Sequence, residues 1–188
     1  MASLDVPLIY QEDDYSCTPA CMKMVLEFIR RKFTEGIPEL DLPEVASVVK
    51  ASADDGGTTF ENIELINELL LSARPSLEFV AGSGHTFDEI EEELGEPNHR
   101  PVIAWVMMPS PQGAFSHSIV ITGIDKEKLL IYFNDPVYGK EIMSIREFMQ
   151  IWEQSFRILI KIRIGERKQR LIREYLEKKA RSEGGESS

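Results

Sequence analysis

A cysteine lies where the sequence predicts the start of a helix. After the extended stretch V-P-L-I-Y, the chain reads Q-E-D-D-Y-S-C-T-P-A-C, with Cys17 near its end. Pro19 fits the first turn of a helix, where its missing N–H would have no partner in any case. Apolar residues then recur at helical spacing from Cys21 to Phe28. A thiol at a helix N-terminus is favoured as the thiolate, so Cys17 is a candidate nucleophile. A small buried core residue would also suit this position.

A predicted β-hairpin supplies a candidate base for this thiol. The stretch S-H-S-I-V-I-T-G-I, the polar turn D-K-E-K and the stretch L-L-I-Y-F-N-D-P are typical of two paired strands. A turn centred on residues 125–128 would set His117 opposite Asp135, within one residue of register. Paired residues have Cβ atoms about 4.5–5.5 Å apart, so the carboxylate could orient and charge the imidazole. The alternative is that His117 only begins a strand and that Asp135 only forms a turn.

The other histidines and the second cysteine suggest no further site. His85 lies beside glycines and His99 lies in an E-P-N-H-R loop, so we expect both at the surface without such partners. Cys17 and Cys21 are four residues apart on one predicted helix, which is a poor basis for a disulfide. The spacing C-x-x-x-C without clustered histidines is also a poor zinc site. We expect no metal and no other cofactor.

The first half of the chain carries mainly helical signals. Helices are predicted over residues 17–33 and after the capping patterns Asp41-Leu42-Pro43-Glu44, Thr58-x-x-Glu61 and Thr86-x-x-Glu89. One short strand is predicted at residues 77–80.

Strand signals dominate from about residue 100. The apolar run P-V-I-A-W-V-M is typical of a strand buried on both faces, and the hairpin follows it. Ser144-x-x-Glu147 caps another helix, and residues 159–164 alternate as in a strand with one face in water. Helices followed by an antiparallel sheet predict the α+β class, with Cys17 at a helix N-terminus packed on the sheet.

Composition and charge narrow the function classes. The 188 residues, 43% of them hydrophobic, suit one domain at residues 1–164, with residues 165–188 as a charged helix and a disordered tail. Residues 1–160 hold 12 Lys and Arg against 27 Asp and Glu, a net charge of −15, whereas residues 161–188 hold 9 against 5. A body this acidic argues against nucleic-acid binding.

No targeting or membrane signal is visible in the sequence. No stretch approaches the roughly 20 apolar residues of a membrane span, and the N-terminus lacks the basic and apolar regions of a signal peptide. We therefore expect a reducing, cytoplasmic location without membrane partners, and the sequence leaves the oligomeric state open.

Three ordered motifs resemble one enzyme family. They are Gln11 followed six residues later by C-T-P-A-C-M-K-M-V, then H-S-I-V-I-T-G-I-D, then N-D-P-V-Y-G followed by S-I-R-E-F-M-Q-I-W. Over about residues 5 to 160 the chain resembles the papain-like cysteine peptidases of the bacteriocin-processing, double-glycine-leader type. The resemblance implies a papain-like fold and a peptide or protein substrate. The family's best-known members precede a membrane exporter and an ATP-binding domain, whereas this sequence shows neither, so we expect a stand-alone domain.

The resemblance also implies roles for four residues. Cys17 would be the nucleophile, His117 the general base and acid, Asp135 the group that orients it, and Gln11 part of the oxyanion hole. The family usually has glycine directly after the nucleophile, whereas this chain has Thr18.

The predicted activity is cleavage or transfer of a peptide or amide acyl group through a thioester on Cys17. Hydrolysis and acyl transfer are not separated by these residues. One alternative is a catalytically silent peptide-binding module of the same fold, and another is an interaction protein that recruits a partner through its basic tail.

Overall fold

A computed structural model describes residues 3–33 and 35–165. Four α-helices, one 3₁₀-helix and six strands are found in this part of the chain. The helices are α1 (Cys17–Lys32), α2 (Leu42–Val48), the 3₁₀-helix (Phe60–Glu68), α3 (Phe87–Leu94) and α4 (Ile145–Glu153). The strands are β1 (Leu77–Gly82), β2 (Val102–Met108), β3 (Phe115–Asp125), β4 (Leu130–Asp135), β5 (Gly139–Ser144) and β6 (Leu159–Ile164).

The six strands form one antiparallel sheet in the order β1-β6-β2-β3-β4-β5. Strands β2 to β5 follow one another, whereas β6 returns from the end of the described chain and inserts between β1 and β2. A helical first part and an antiparallel sheet therefore coexist as the sequence predicts, and the α+β class is confirmed.

Helices cover both faces of the sheet. One core cluster joins α1, α2 and the 3₁₀-helix to side chains such as Ile103, Val120 and Ile160. The other joins α3 and α4 to the opposite face, including Val102 and Ile119. Strand β2 contributes to both clusters, which confirms the prediction that its apolar run is buried on both faces.

Three of the predicted helix caps form and one does not. Asp41 accepts a hydrogen bond from the Glu44 backbone N–H at 2.7 Å, and Thr86 and Ser144 form capping boxes. The cap predicted at Thr58 is wrong: the helix begins one residue later, after Thr59, and it is a 3₁₀-helix without a side-chain cap bond.

The segment before α1 is held along the hairpin, and we call residues 4–11 the N-terminal strap. The Leu4 N–H donates to the Thr122 carbonyl at 2.8 Å. The buried Asn134 side chain donates to the Val6 carbonyl at 3.1 Å. The Gln11 N–H donates to the Pro136 carbonyl at 3.0 Å. These bonds deliver Gln11 to the end of β4.

The polar face of β6 is covered by α3 rather than left in water. Lys161 contacts Glu89 at 3.1 Å and Arg163 contacts Glu93 at 2.7 Å. His85 also contacts Glu89, with Nδ1 2.8 Å from Oε1, so the expectation that it lacks a partner is wrong. The alternating pattern of β6 predicts that its charged side chains face water, but α3 supplies carboxylates that pair with them.

The charged tail predicted over residues 165–188 lies outside the described residues from position 166 onward. In the part of the chain that is described, every helix is too short or too polar to cross a membrane.

Candidate active site

Cys17 is the first residue of α1, as predicted, and the local sequence favours a thiolate there. Ser16 is the N-cap residue and makes no side-chain cap bond. Pro19 is buried in the first turn, and this turn carries no acidic residue that would repel a negative sulfur. The unpaired N–H groups of the first turn therefore lie beside the thiol without a competing charge.

The structure brings His117, in β3, to Asp135, the last residue of β4. His117 Nε2 lies 3.1 Å from Asp135 Oδ1, and the two side chains are 5% and 1% exposed. Their predicted direct pairing is wrong: the ladder runs from Asp125↔Leu130 to Val120↔Asn134, with an irregularity between Ile121 and Gly123.

His117 and Asp135 contact each other although they are not directly paired in the ladder. Continuing the observed register would set Asp135 beside Ile119, two residues along β3 from His117. The two side chains are therefore diagonal neighbours on one face of the hairpin, within reach of each other.

Asp135 is fixed through a single oxygen. Oδ1 also accepts hydrogen bonds from the backbone N–H groups of Val137 at 2.7 Å and Tyr138 at 3.2 Å. Within the described chain, the buried Oδ2 has no hydrogen-bond partner. Burial alone would raise the pKa of Asp135, but these donors and His117 lower it, so the group is an anion at neutral pH.

His117 and Cys17 together favour an ion pair. Burial lowers the pKa of His117, but hydrogen bonds and charges from Asp135 and Cys17 outweigh it and raise the pKa to about 9. Burial likewise raises the pKa of Cys17, yet a hydrogen bond with His117 and its charge bring the net pKa below its usual value. Because Nε2 is engaged by Asp135, Nδ1 is the ring nitrogen left for the thiol. A thiolate and an imidazolium are then both populated near neutral pH.

The second cysteine has the opposite character. Cys21 lies one turn into α1, is fully buried and donates from Sγ to the Ser118 carbonyl at 3.3 Å. Burial and the charge of Cys17 raise its pKa well above the usual value for a thiol. Cys21 is therefore a structural thiol, and both cysteines are free.

Gln11 is held at the end of the strap with one donor in use. Its Nε2 donates to the Asp13 carbonyl at 2.7 Å, and its backbone is bonded to Pro136. A side-chain amide carries two N–H donors, so one remains for another acceptor. Its Oε1 is buried and finds no hydrogen-bond partner within the described residues.

Two hydroxyl residues at the site were not predicted to take part. Thr18 and Ser118 are buried, and their Oγ atoms lie 2.7 Å apart. Both lower the pKa of Cys17, Ser118 through its backbone and Thr18 through its side chain. Each follows directly after a predicted catalytic residue, and that position is the signal that could have identified them.

The described residues contain no group of three or more His, Cys, Asp or Glu placed to hold a metal ion.

The Peptidase_C39-like family model matches residues 3–158. The chain belongs to this family. No curated protein sequence matches the chain.

Solved structures of this family share the fold. The double-glycine-motif protease of an AMS/PCAT transporter, solved with its leader peptide, is 20% identical and has a TM-score of 0.58, covering 86% of this chain and 93% of that one. A C39-like peptidase from Bacillus anthracis is 16% identical with a TM-score of 0.61, covering 87% and 98%. The peptidase domain of Streptococcus ComA, a bifunctional ABC transporter, is 19% identical with a TM-score of 0.55, covering 82% and 96%.

Proposed function

We propose that this protein is a cysteine peptidase that cleaves peptides through a thioester on Cys17. The observation that carries the proposal is the contiguous set of Cys17, His117 and Asp135, with a lowered thiol pKa and an imidazole pKa raised to about 9. Membership of a peptidase family supports the same reaction class.

The proposed reaction begins from the thiolate–imidazolium pair. The Cys17 sulfur attacks the peptide carbonyl, and the oxyanion meets the free N–H of the Gln11 amide and the Cys17 backbone N–H. The tetrahedral intermediate collapses as His117 gives its proton to the leaving amine, and the thioester remains on Cys17. Water, deprotonated by His117, then hydrolyses the thioester. Asp135 holds the imidazole in position and stabilises its charged form.

Exposed apolar side chains beside these residues support a peptide substrate. Tyr10 precedes Gln11 in the strap, Phe115 lies with its ring centre 6.0 Å from that of His117, and Val137 and Tyr138 follow Asp135. Apolar groups around a few polar ones are typical of ligand-binding sites.

The proposal also covers the cellular location of the protein and its lack of a nucleic-acid partner. A reducing, cytoplasmic location is supported by the two free thiols. The absence of a nucleic-acid partner is supported by the acidic body, which repels phosphate groups.

The test is cleavage of a peptide library by the full chain, read by mass spectrometry, together with active-site labelling by a peptide aldehyde. We expect wild type to cleave and to bind the aldehyde reversibly at Cys17, and Cys17→Ala to do neither. Cys21→Ala is the matched control and should keep activity, since its thiol lies in the core.

Two other results would change the assignment. Peptide binding without cleavage, unchanged in Cys17→Ala, would contradict the proposal and indicate a silent binding module. If the acyl group passes to an added amine faster than to water, the same thioester serves acyl transfer and hydrolysis is the side reaction.

A further inference from the structure

The loop between Gln11 and Cys17 is folded around Asp13. The Asp13 carboxylate accepts a hydrogen bond from the Tyr15 backbone N–H, with Oδ1 3.0 Å from the nitrogen. The Asp13 carbonyl accepts from Nε2 of Gln11 at 2.7 Å and from the Ser16 hydroxyl at 3.4 Å. The residues on either side of Asp13 are exposed, whereas Asp13 itself is partly buried. Asp13 therefore joins Gln11 to the chain just before the nucleophile.

The bond to Tyr15 sets the direction of the Asp13 carbonyl. An aspartate that accepts from the backbone N–H two residues further on closes an Asx turn. The carbonyl of Asp13 belongs to the peptide group inside that turn, so the turn fixes its direction as well. Without the carboxylate, this peptide group would be free to rotate away from Gln11.

The Asp13 carbonyl in turn decides how the Gln11 amide is oriented. A carbonyl oxygen accepts from the amide nitrogen and cannot bond the amide oxygen. The backbone of Gln11 is held separately, since its N–H donates to the Pro136 carbonyl at 3.0 Å. Within the described residues, Oε1 of Gln11 has no hydrogen-bond partner, so the bond to Asp13 is what orients the amide. The second N–H of the amide is then left in a fixed direction.

We propose that Asp13 is a positioning residue that holds the Gln11 amide so that its second N–H meets the oxyanion. The carboxylate acts at one remove, because it fixes the carbonyl to which Gln11 is bonded. The inference rests on the proposed function, in which Gln11 stabilises the oxyanion. Removing such a donor outright typically costs about 10²–10³-fold in kcat, so a donor that is present but loosely held should cost less than its removal.

The experiment compares kcat and KM for peptide cleavage with the pH profile of Cys17 alkylation by iodoacetamide. Alkylation forms no oxyanion, so it measures the thiol without any contribution from Gln11. Asp13→Ala removes the acceptor of the Tyr15 N–H. We expect kcat to fall by about tenfold with KM unchanged, because the weakened contact is made in the transition state and not with the bound substrate.

Asp13→Asn is the matched control. It removes the same charge as Asp13→Ala but keeps a carbonyl oxygen that can accept from Tyr15, so we expect kcat near that of wild type. Any effect of the lost charge on the alkylation profile should be equal in these two variants.

Two further variants keep the test sharp if Asp13→Ala does not fold. The hydroxyl of Asp13→Ser closes the same kind of turn more weakly, so its kcat should lie between those of Asp13→Asn and Asp13→Ala. The double variant Gln11→Ala/Asp13→Ser should match Gln11→Ala alone, since no amide remains to be oriented. Melting curves of every variant show which of them are folded.

A different role for Asp13 would give a different pattern. Equal losses of kcat in Asp13→Ala and Asp13→Asn would overturn the inference, because the charge and not the turn would then matter. Lower melting temperatures with unchanged kcat would also overturn it, as would a further loss when Asp13→Ser is added to Gln11→Ala. If Gln11→Ala cleaves as well as wild type, this inference fails and the proposed peptidase activity stands. If wild type does not cleave, both fail.

Discussion

Asp135 supports His117 through the oxygen that also closes its own turn. Oδ1 accepts from His117 and from the N–H groups of Val137 and Tyr138. An asparagine at this position can still accept those backbone bonds through Oδ1, but it brings no charge to the imidazole. Replacing the aspartate therefore separates the electrostatic role of Asp135 from its role in the turn.

The pH dependence of activity should reflect the ion pair. In the proposed mechanism, the reactive form has a deprotonated Cys17 and a protonated His117. We expect kcat/KM to rise through the lowered pKa of Cys17 and to fall as pH passes the His117 pKa of about 9. Asp135→Asn should move the falling limb to lower pH, move the rising limb to higher pH, and reduce the maximum by at least about tenfold.

The double variant tests whether the two residues act as one unit. Adding Asp135→Asn to His117→Ala should cost nothing further in kcat/KM, because no imidazole remains to support. Additive losses would mean that Asp135 serves the site in another way.

At the level of elements, the strap is held by Asn134, the residue next to Asp135, which we propose orients the base. Asn134 donates to the Val6 carbonyl and Asp135 contacts His117, so neighbouring residues of β4 anchor the strap and the imidazole. Asn134→Leu leaves a buried carbonyl without its donor, which typically costs about 1–3 kcal/mol. We expect a lower free energy of unfolding in urea.

The same variant should distinguish the contribution of Gln11 to cleavage from the reactivity of the Cys17 thiol. Loosening the strap should slow cleavage, while the pH profile of Cys17 alkylation stays as in wild type. Asn98→Leu is the control, because it removes a side-chain hydrogen bond at the surface, from Asn98 to the Glu92 carbonyl. A shifted alkylation profile in Asn134→Leu would show that the strand itself, and not only the strap, had moved.

Much of the candidate site could be predicted because its parts are local. Pro19 marks the first turn of α1, and the two strand patterns predict the hairpin that carries His117. The exact register could not be predicted, since the irregularity between Ile121 and Gly123 depends on packing beyond the two strands. The place of β6 between β1 and β2 is a long-range pairing with no local signal.

The contacts between α3 and β6 should govern part of the acid stability. Burial raises the pKa of Glu89, but bonds from Thr86, His85 and Lys161 bring it to about 2. A carboxyl whose folded pKa lies below its unfolded one adds stability above about pH 4.5, which is lost as pH falls toward 2. Glu89→Gln should lower the melting temperature at neutral pH and converge with wild type near pH 2. Glu92→Gln, on the exposed side of the same helix, should track wild type throughout.

At the scale of the whole molecule, all the side chains found in the two core clusters belong to residues 4–164. Strand β6 pairs on both sides, and the Gly165 N–H donates to the Ser76 carbonyl at 2.7 Å. We predict that a chain ending at Gly165 keeps a single cooperative melt within a few degrees of the full chain. Aggregation, or a broad transition, would show that residues 166–188 belong to the folded domain.

The different environments of Cys17 and Cys21 have a consequence for oxidation. Peroxide converts an accessible thiolate to a sulfenic acid, and a neighbouring thiolate can then capture it as a disulfide. Cys21 is buried, bonded to Ser118 and held in its protonated form, so it is a poor resolving partner for Cys17. We expect brief exposure to peroxide to inactivate the protein in a way that an added thiol reverses, and longer exposure to become irreversible as the sulfinic acid accumulates. Intact-mass measurements should show gains of one and then two oxygen atoms on Cys17, and an intramolecular disulfide would contradict this expectation.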